Sequence, residues 1–171
     1  MTSTANTKNP PNFMPKEYIR QPFWKTVFLI PAGVSLKLLL ALVWRRPTPR
    51  TRVLIRHDDK ILMVSNITSP WQWTLPGGGY NTNETASECS AREVREELAI
   101  DIAVNEYTFI GHYRERIHGV TWRYDCTQVM LHTQPFLRLS MEIFRAKWLP
   151  IDTLPSSIPD YIQKAIAAVE K

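Results

Sequence analysis

From Gly78 to Ile100 the chain reads GGYNTNETASECSAREVREELAI, a glycine-rich turn run into a helix that carries its own start signal. Thr85-Ala86-Ser87-Glu88 has the S/T-x-x-E form, in which threonine and glutamate satisfy each other's free backbone donors, so a helix starts just after Thr85. At about 100° per residue, Glu93, Glu96 and Glu97 fall within an arc of roughly 100° above the small residues Ala86 and Cys89. Ala91, Val94 and Leu98 lie near the opposite side. The expectation is one apolar, buried face and another that gathers three carboxylates. Like charges one turn apart destabilise a helix, so three in one place need a counter-charge. Arg92, one turn before Glu96, supplies part of it, and a divalent cation would supply more. Carboxylate oxygens are hard ligands suited to Mg²⁺ or Mn²⁺, and Mg²⁺ takes substrate phosphates among its remaining ligands. A plain solvated acidic face is the alternative; it leaves the Gly77-Gly78-Gly79 turn, Glu84 and Arg92 without a purpose.

Around this segment the texture is that of a mixed α+β domain. Arg52–Arg56 and Lys60–Val64 flank a short His57-Asp58-Asp59 turn and read as a hairpin. Trp71–Leu75 reads as a short aromatic strand. Further strands are expected at Ile100–Val104, Tyr107–Glu115, Thr121–His132 and Glu142–Trp148. Besides the helix from Thr85 to Leu98, a last one is expected from Ile158 to about Val169.

The front of the chain is different. Five of the thirteen prolines fall in the first 31 positions, and residues 1–56 carry ten Lys/Arg against one acid. The remainder carries eleven Lys/Arg against fifteen Asp/Glu, so the net charge of +5 combines a basic front with a mildly acidic body. The basic residues form no nucleic-acid-binding signature, and no specific nucleic-acid partner is expected. Residues 1–20 read as a disordered tail and 21–49 as an apolar, basic helical segment. Leu36, Leu39, Leu40 and Val43 have helical spacing, while Pro31, Gly33 and Lys37 interrupt a simple membrane span. Three placements stay open: an amphipathic helix packed on the domain or at a homodimer interface, an interfacial helix touching a membrane surface through residues 26–46, and a genuine span. The chain is expected in the cytoplasm, with membrane association tied to that segment. Two cysteines, Cys89 and Cys126, are too few for a disulfide framework and read as reduced and inert; no zinc spacing exists.

The segment also resembles the box of the Nudix hydrolase family, G-x5-E-x7-R-E-U-x-E-E-x-G-U with U apolar. Gly78, Glu84, Arg92, Glu93, Val94, Glu96, Glu97 and Ile100 stand at the required spacing, and Ala99 replaces the last glycine. Trp73-x-Leu75-Pro76-Gly77-Gly78-Gly79 resembles the family's approach to the box, and a looser likeness runs from Arg50 to Trp148-Leu149-Pro150. The resemblance implies an α/β/α sandwich with a mixed sheet over residues 50–171. It implies divalent-metal-dependent hydrolysis of a pyrophosphate bond in a nucleoside diphosphate linked to another moiety. Glu93, Glu96 and Glu97 would then be Mg²⁺ or Mn²⁺ ligands with the Gly77 carbonyl, Arg92 would orient the glutamates, and Glu84 and Gly78 would support the loop. A non-catalytic nucleotide-sensing module on the same fold is one alternative, and a membrane-associated interaction protein is another. The family glycine often sits in a left-handed helix cap, so Ala99 there threatens loop geometry more than chemistry.

A base outside the box is often required in the family. Glu142, at the start of an expected strand, is the first candidate and Glu115 the second; His112 and His118 are weaker ones. Arg52, Trp73, Arg114 and Arg116 are candidates to hold substrate, with Trp71 and Phe136 as further aromatic surfaces.

Overall fold

A computed structural model describes residues 18–22, 48–117 and 119–170. Six strands form one sheet: β1 (Tyr18–Arg20), β2 (Arg50–His57), β3 (Lys60–Asn66), β4 (Thr108–Ile117), β5 (Val120–Met130) and β6 (Ile143–Pro150). Their order is β1-β6-β3-β2-β5-β4. β2 runs parallel to β5, and the other neighbours are antiparallel, so the sheet is mixed.

Two helices, α1 (Ala86–Leu98) and α2 (Asp160–Val169), cover opposite faces. Strand alternation decides which residues meet which helix. Val53, Ile55, Leu62, Val64, Ala146 and Trp148 pack with Val94 and Leu98 of α1. Leu54, Ile61, Met63, Cys126 and Leu149 pack with Tyr161, Ile162, Ala165 and Ile166 of α2. Each such aliphatic side chain removed from water contributes roughly 1.5–3 kcal/mol. The expected α/β/α sandwich is therefore present.

β2 and β3 pair only beside their turn, at Arg56↔Ile61 and His57↔Lys60, and then part. The strap from Thr74 to Gly79 fills the gap. Val64 and Thr74 exchange backbone bonds of 2.9 and 2.8 Å; on the other side Val53 and Thr51 donate to the carbonyls of Pro76 (2.9 Å) and Gly78 (2.8 Å). The glycine turn is thus held by strands on both sides, immediately beneath α1.

Several elements differ from expectation. Ile100–Val104 is not a strand: Ile100 and Ile102 are buried, but the segment pairs with nothing and ends in a 3₁₀ turn, Val104–Glu106. Alternating burial here comes from a loop laid over the core edge. Trp71–Leu75 contributes only a bridge at Thr74, because the strap serves two strands in turn. Tyr18–Arg20, the end of the expected disordered tail, pairs with β6, and Gln21 donates to the carbonyl of Ser140 at 2.7 Å. Of the expected helical segment over 21–49, residues 23–47, with the expected membrane or dimer contacts, lie outside the described residues, as does His118. Among the described residues, no helix is long and apolar enough to cross a membrane.

Candidate active site

Helix α1 begins as its sequence dictates. Thr85 Oγ1 accepts from the Glu88 N–H at 3.3 Å, and Glu88 accepts from the Thr85 N–H at 2.8 Å. It ends on Ala99 at φ 56°, ψ 36°, the left-handed region, with the Ala99 N–H donating to the Arg95 carbonyl at 3.0 Å.

The three glutamates do not share one environment. Cys89, Ser90, Val94, Glu97 and Leu98 are the buried residues of α1, so Glu97 sits within the buried face rather than opposite it. The reading of one dry and one acidic face is corrected accordingly. The cause is the strap, which presents a backbone donor under the helix: the Gly77 N–H donates to Glu97 Oε2 at 2.9 Å. Burial lifts the Glu97 carboxyl to about 7; the Gly77 N–H and Arg52 oppose the rise, and the charges of Glu93 and Glu142 add to it. Glu93 is half-buried and also raised, first by burial, with Glu96 and Glu142 adding and Arg92 opposing. The Glu96 side chain is 58% exposed.

Arg92 organises this group. Its Nε and Nη2 grip Glu84 at 2.6 and 2.8 Å, its Nη1 donates to Glu93 at 2.8 Å and Glu96 at 3.3 Å, and Nη2 also reaches the Gly79 carbonyl at 2.8 Å. Five bonds from one planar fork hold loop, helix and turn together. Glu84 in turn accepts from the Asn81 N–H at 2.8 Å, and its carboxyl is pulled down to about 2, chiefly by Arg92.

Glycine is required at two positions. Gly77 has φ +129°, and a Cβ there would lie 2.6 Å from the Thr51 carbonyl oxygen. A Cβ on Gly78 would lie 2.5 Å from the Glu93 carboxylate, so that carboxylate rests directly on the turn. The Gly77 carbonyl accepts from Arg52 Nη1. Arg52 is only 6% exposed and stacks on Tyr124 at 5.1 Å, which corrects its assignment to substrate: it braces the turn from beneath. A carbonyl has two lone pairs, so one remains for a cation.

A family model described as the NUDIX domain matches residues 46–168. The chain belongs to the NUDIX family. Dihydroneopterin triphosphate diphosphatase of Escherichia coli (strain K12) is 33% identical over 73 residues, 42% of this chain and 49% of that protein. Diphosphoinositol polyphosphate phosphohydrolase 2 of Rattus norvegicus is 34% identical over 62 residues, 36% of this chain and 35% of that protein. These matches span half or less of the curated relatives' lengths. The crystal structure of a MutT NUDIX hydrolase from Burkholderia pseudomallei superposes with TM-score 0.61 at 22% identity, covering 73% of this chain and 99% of the other. A C. elegans Ap4A hydrolase superposes with TM-score 0.61 at 16% identity, covering 72% and 95%.

Within this Nudix domain the remaining candidates separate. Glu142 begins the approach to β6; its carbonyl accepts from the Ile67 N–H at 2.8 Å, and its charge acts on both Glu93 and Glu97. Glu115 instead faces the start of α2, accepting from the Tyr161 N–H at 3.4 Å. His112 pairs with Asp125 at 2.7 Å. Arg114 and Arg116 are exposed on β4, with Arg114 directly opposite Arg123. Trp73 is half-buried beneath Arg145, while Trp71 and Phe136 are 82% and 75% exposed. Cys89 and Cys126 are buried free thiols lifted to about 11 and about 12 by burial.

Three features escaped the sequence reading. Tyr80 donates to Asp125 at 2.5 Å and ties the loop after the turn to β5. Arg50 and Arg145 stack on tryptophans near the turn. No local spacing announces any of them, because each depends on strand register.

Proposed function

We propose that this chain hydrolyses a pyrophosphate bond in a nucleoside diphosphate linked to another moiety, with Mg²⁺ or Mn²⁺ held by Glu93, Glu96 and Glu97. The carrying observation is the convergence of Glu93 and Glu97 on the Gly77–Gly78 turn, where burial and mutual charge make both carboxylates hold protons more tightly. That is the electrostatic state of an all-oxygen donor set suited to a hard divalent cation. Among the described residues, no three such side chains already converge as a cage. Arg92 draws Glu93 and Glu96 toward itself, and the Gly77 N–H holds Glu97, so these bonds are the ones an ion would compete with.

The ion supplies charge neutralisation at the diphosphate and a more acidic water. The protein's share is placement. Arg92 ties Glu93 and Glu96 of the helix to Glu84 of the preceding loop, Gly77 and Gly78 let the turn lie against the Thr51 carbonyl and the Glu93 carboxylate, and Arg52 holds the turn from below. Glu142 is the proposed general base: it is exposed beside the site and free of any carboxylate-neutralising ion pair among the described residues. A non-catalytic sensor is disfavoured because all three box glutamates are present.

The test is release of the phosphorylated products, resolved by chromatography, from a panel of dNTPs, ADP-ribose, nucleotide sugars and dinucleoside polyphosphates. Turnover should require Mg²⁺ or Mn²⁺, vanish with EDTA and fall at least a hundredfold in Glu96→Gln and Glu97→Gln. Turnover without metal, or undiminished in both variants, overturns the assignment.

A further inference from the structure

Arg50 lies at the start of β2, beside the turn: it bridges to Gly79, and the negative charges of Glu93 and Glu142 act on it. Yet among the described residues it forms no ion pair. Its guanidinium stacks 5.6 Å from the centre of the Trp122 ring, and its Nε is buried without a hydrogen-bond partner. Arg145, on β6, repeats the arrangement. Its guanidinium lies 4.3 Å from the centre of the Trp73 ring, and its Nε donates to Ser65 at 3.2 Å, again with no carboxylate partner among the described residues.

Both arginines face the same way. Arg50 shares the alternation of Arg52 and Leu54, opposite Tyr124 and Cys126 in the parallel ladder. Arg145 shares that of Lys147 and Leu149, opposite Met63 and Ile61. Leu54, Met63, Tyr124 and Leu149 belong to the core under α2, so both guanidiniums stand on the α2 face of the sheet. α2 starts over Thr74, whose hydroxyl is 2.7 Å from that of Tyr161, and leaves this end of the face half-exposed. A third arginine, Arg20, is directly opposite Arg145 in the β1–β6 ladder.

Facing like charges across a ladder costs stability. Burying part of a guanidinium without a counter-ion costs more. Stacking on a ring occupies only the flat face of a guanidinium; with Nε turned inward in both arginines, the edge formed by the two terminal nitrogens is left, and that edge matches two oxygens of a phosphate. One such edge stands beside the turn that carries the proposed metal site and the other over Trp73 at the approach to it, both on the side away from α1.

We propose that Arg50 and Arg145 form a phosphate-binding rim, and that the substrate carries an anionic phosphate beyond the two of the scissile bond. The substrate class is then a nucleoside triphosphate or longer polyphosphate rather than a nucleotide sugar, whose distal moiety is uncharged. This rests on the proposed hydrolase reading but has its own failure mode.

The experiment is calorimetric titration of the full chain, in Mg²⁺, with inorganic tripolyphosphate and with pyrophosphate. The wild type should bind tripolyphosphate at least tenfold more tightly than pyrophosphate. Arg50→Met and Arg145→Met should each shrink that gap to threefold or less, and Arg50→Lys should retain part of it. Arg56→Met, on the same strand at its far end and also with an unpartnered Nε, should keep the full gap. A wild type without the gap, or a gap that survives in both variants, overturns the rim. Failure of the hydrolase reading is separate: it would show as metal-independent turnover, whatever these affinities are.

Discussion

Replacing Ala99 with glycine isolates one backbone angle. Ala99 sits at φ 56° and ψ 36°, and its side chain is exposed, so removing the Cβ forfeits no core contact. The left-handed well costs a residue with a Cβ roughly 1–2 kcal/mol. Glycine returns roughly 0.4–1 kcal/mol of that by widening the unfolded ensemble. The net expectation is a gain of about 0.5–1 kcal/mol. Unfolding entropy near 2.1 cal/mol/K per residue, over roughly 130 residues, gives about 0.27 kcal/mol/K, so Tm should rise by about 2–4 °C. Calorimetry in EDTA reads this without interference from a bound ion. Ala99→Val, with a β-branched side chain in the same well, should lower Tm, and turnover of Ala99→Gly should match the wild type because position 99 offers no ligand. A glycine variant that melts at or below the wild-type temperature, or an unaffected valine variant, would refute the reasoning.

Glu97 links stability to pH. Its carboxyl is raised from 4.5 to about 7, so the folded state binds a proton more tightly than the unfolded chain does. That contribution is fully present below about pH 4.5 and is lost as pH rises through 7, a change on the order of 3 kcal/mol. The metal-free Tm should therefore fall between pH 5 and pH 8, and Glu97→Gln should flatten the profile; an equally steep profile in that variant counts against the assignment. Gly77→Ala places a Cβ 2.6 Å from the Thr51 carbonyl oxygen at φ +129°, and should cost more than about 2 kcal/mol in a urea titration. Arg92→Lys keeps the charge but loses the fork that holds Glu84, Glu93 and Glu96. Amide exchange in residues 79–84 should accelerate and Mg²⁺ affinity should drop at least fivefold; unchanged exchange there would mean that charge alone suffices.

Local physics was legible wherever a residue's role depends on neighbours a few positions away. The capping box at Thr85 and Glu88 and the Arg92–Glu96 contact follow from helix geometry and short spacing, while the left-handed Ala99 and the loop-holding place of Glu84 were implied by the family resemblance. The hairpin and the later strands also follow, with ends shifted by a few residues. Glu97 was misplaced because a helical wheel ranks faces by apolar content and has no knowledge of a backbone N–H waiting beneath. Arg52 was misplaced for the same reason: a basic strand residue looks solvent-directed until a carbonyl and the Tyr124 ring are found under it. Ile100 and Ile102 alternate like a strand, but among the described residues the segment joins no ladder, and both side chains are buried from a loop.

The amino-acid sequence alone determined which donor groups meet at the candidate site. Three carboxylates at helical spacing behind a glycine turn and a capping box are local facts wherever the chain places them. Tertiary structure decided how those groups differ from one another. The parting of β2 and β3 admits the strap, and the strap buries Glu97, half-buries Glu93 and turns the Gly77 carbonyl toward Arg52. Strand register alone brings Arg50 and Arg145, 95 positions apart, to the same face of the sheet. Burial and register are properties of the packed sheet, summed over contacts distant in the chain, and so they exist only once the fold has formed.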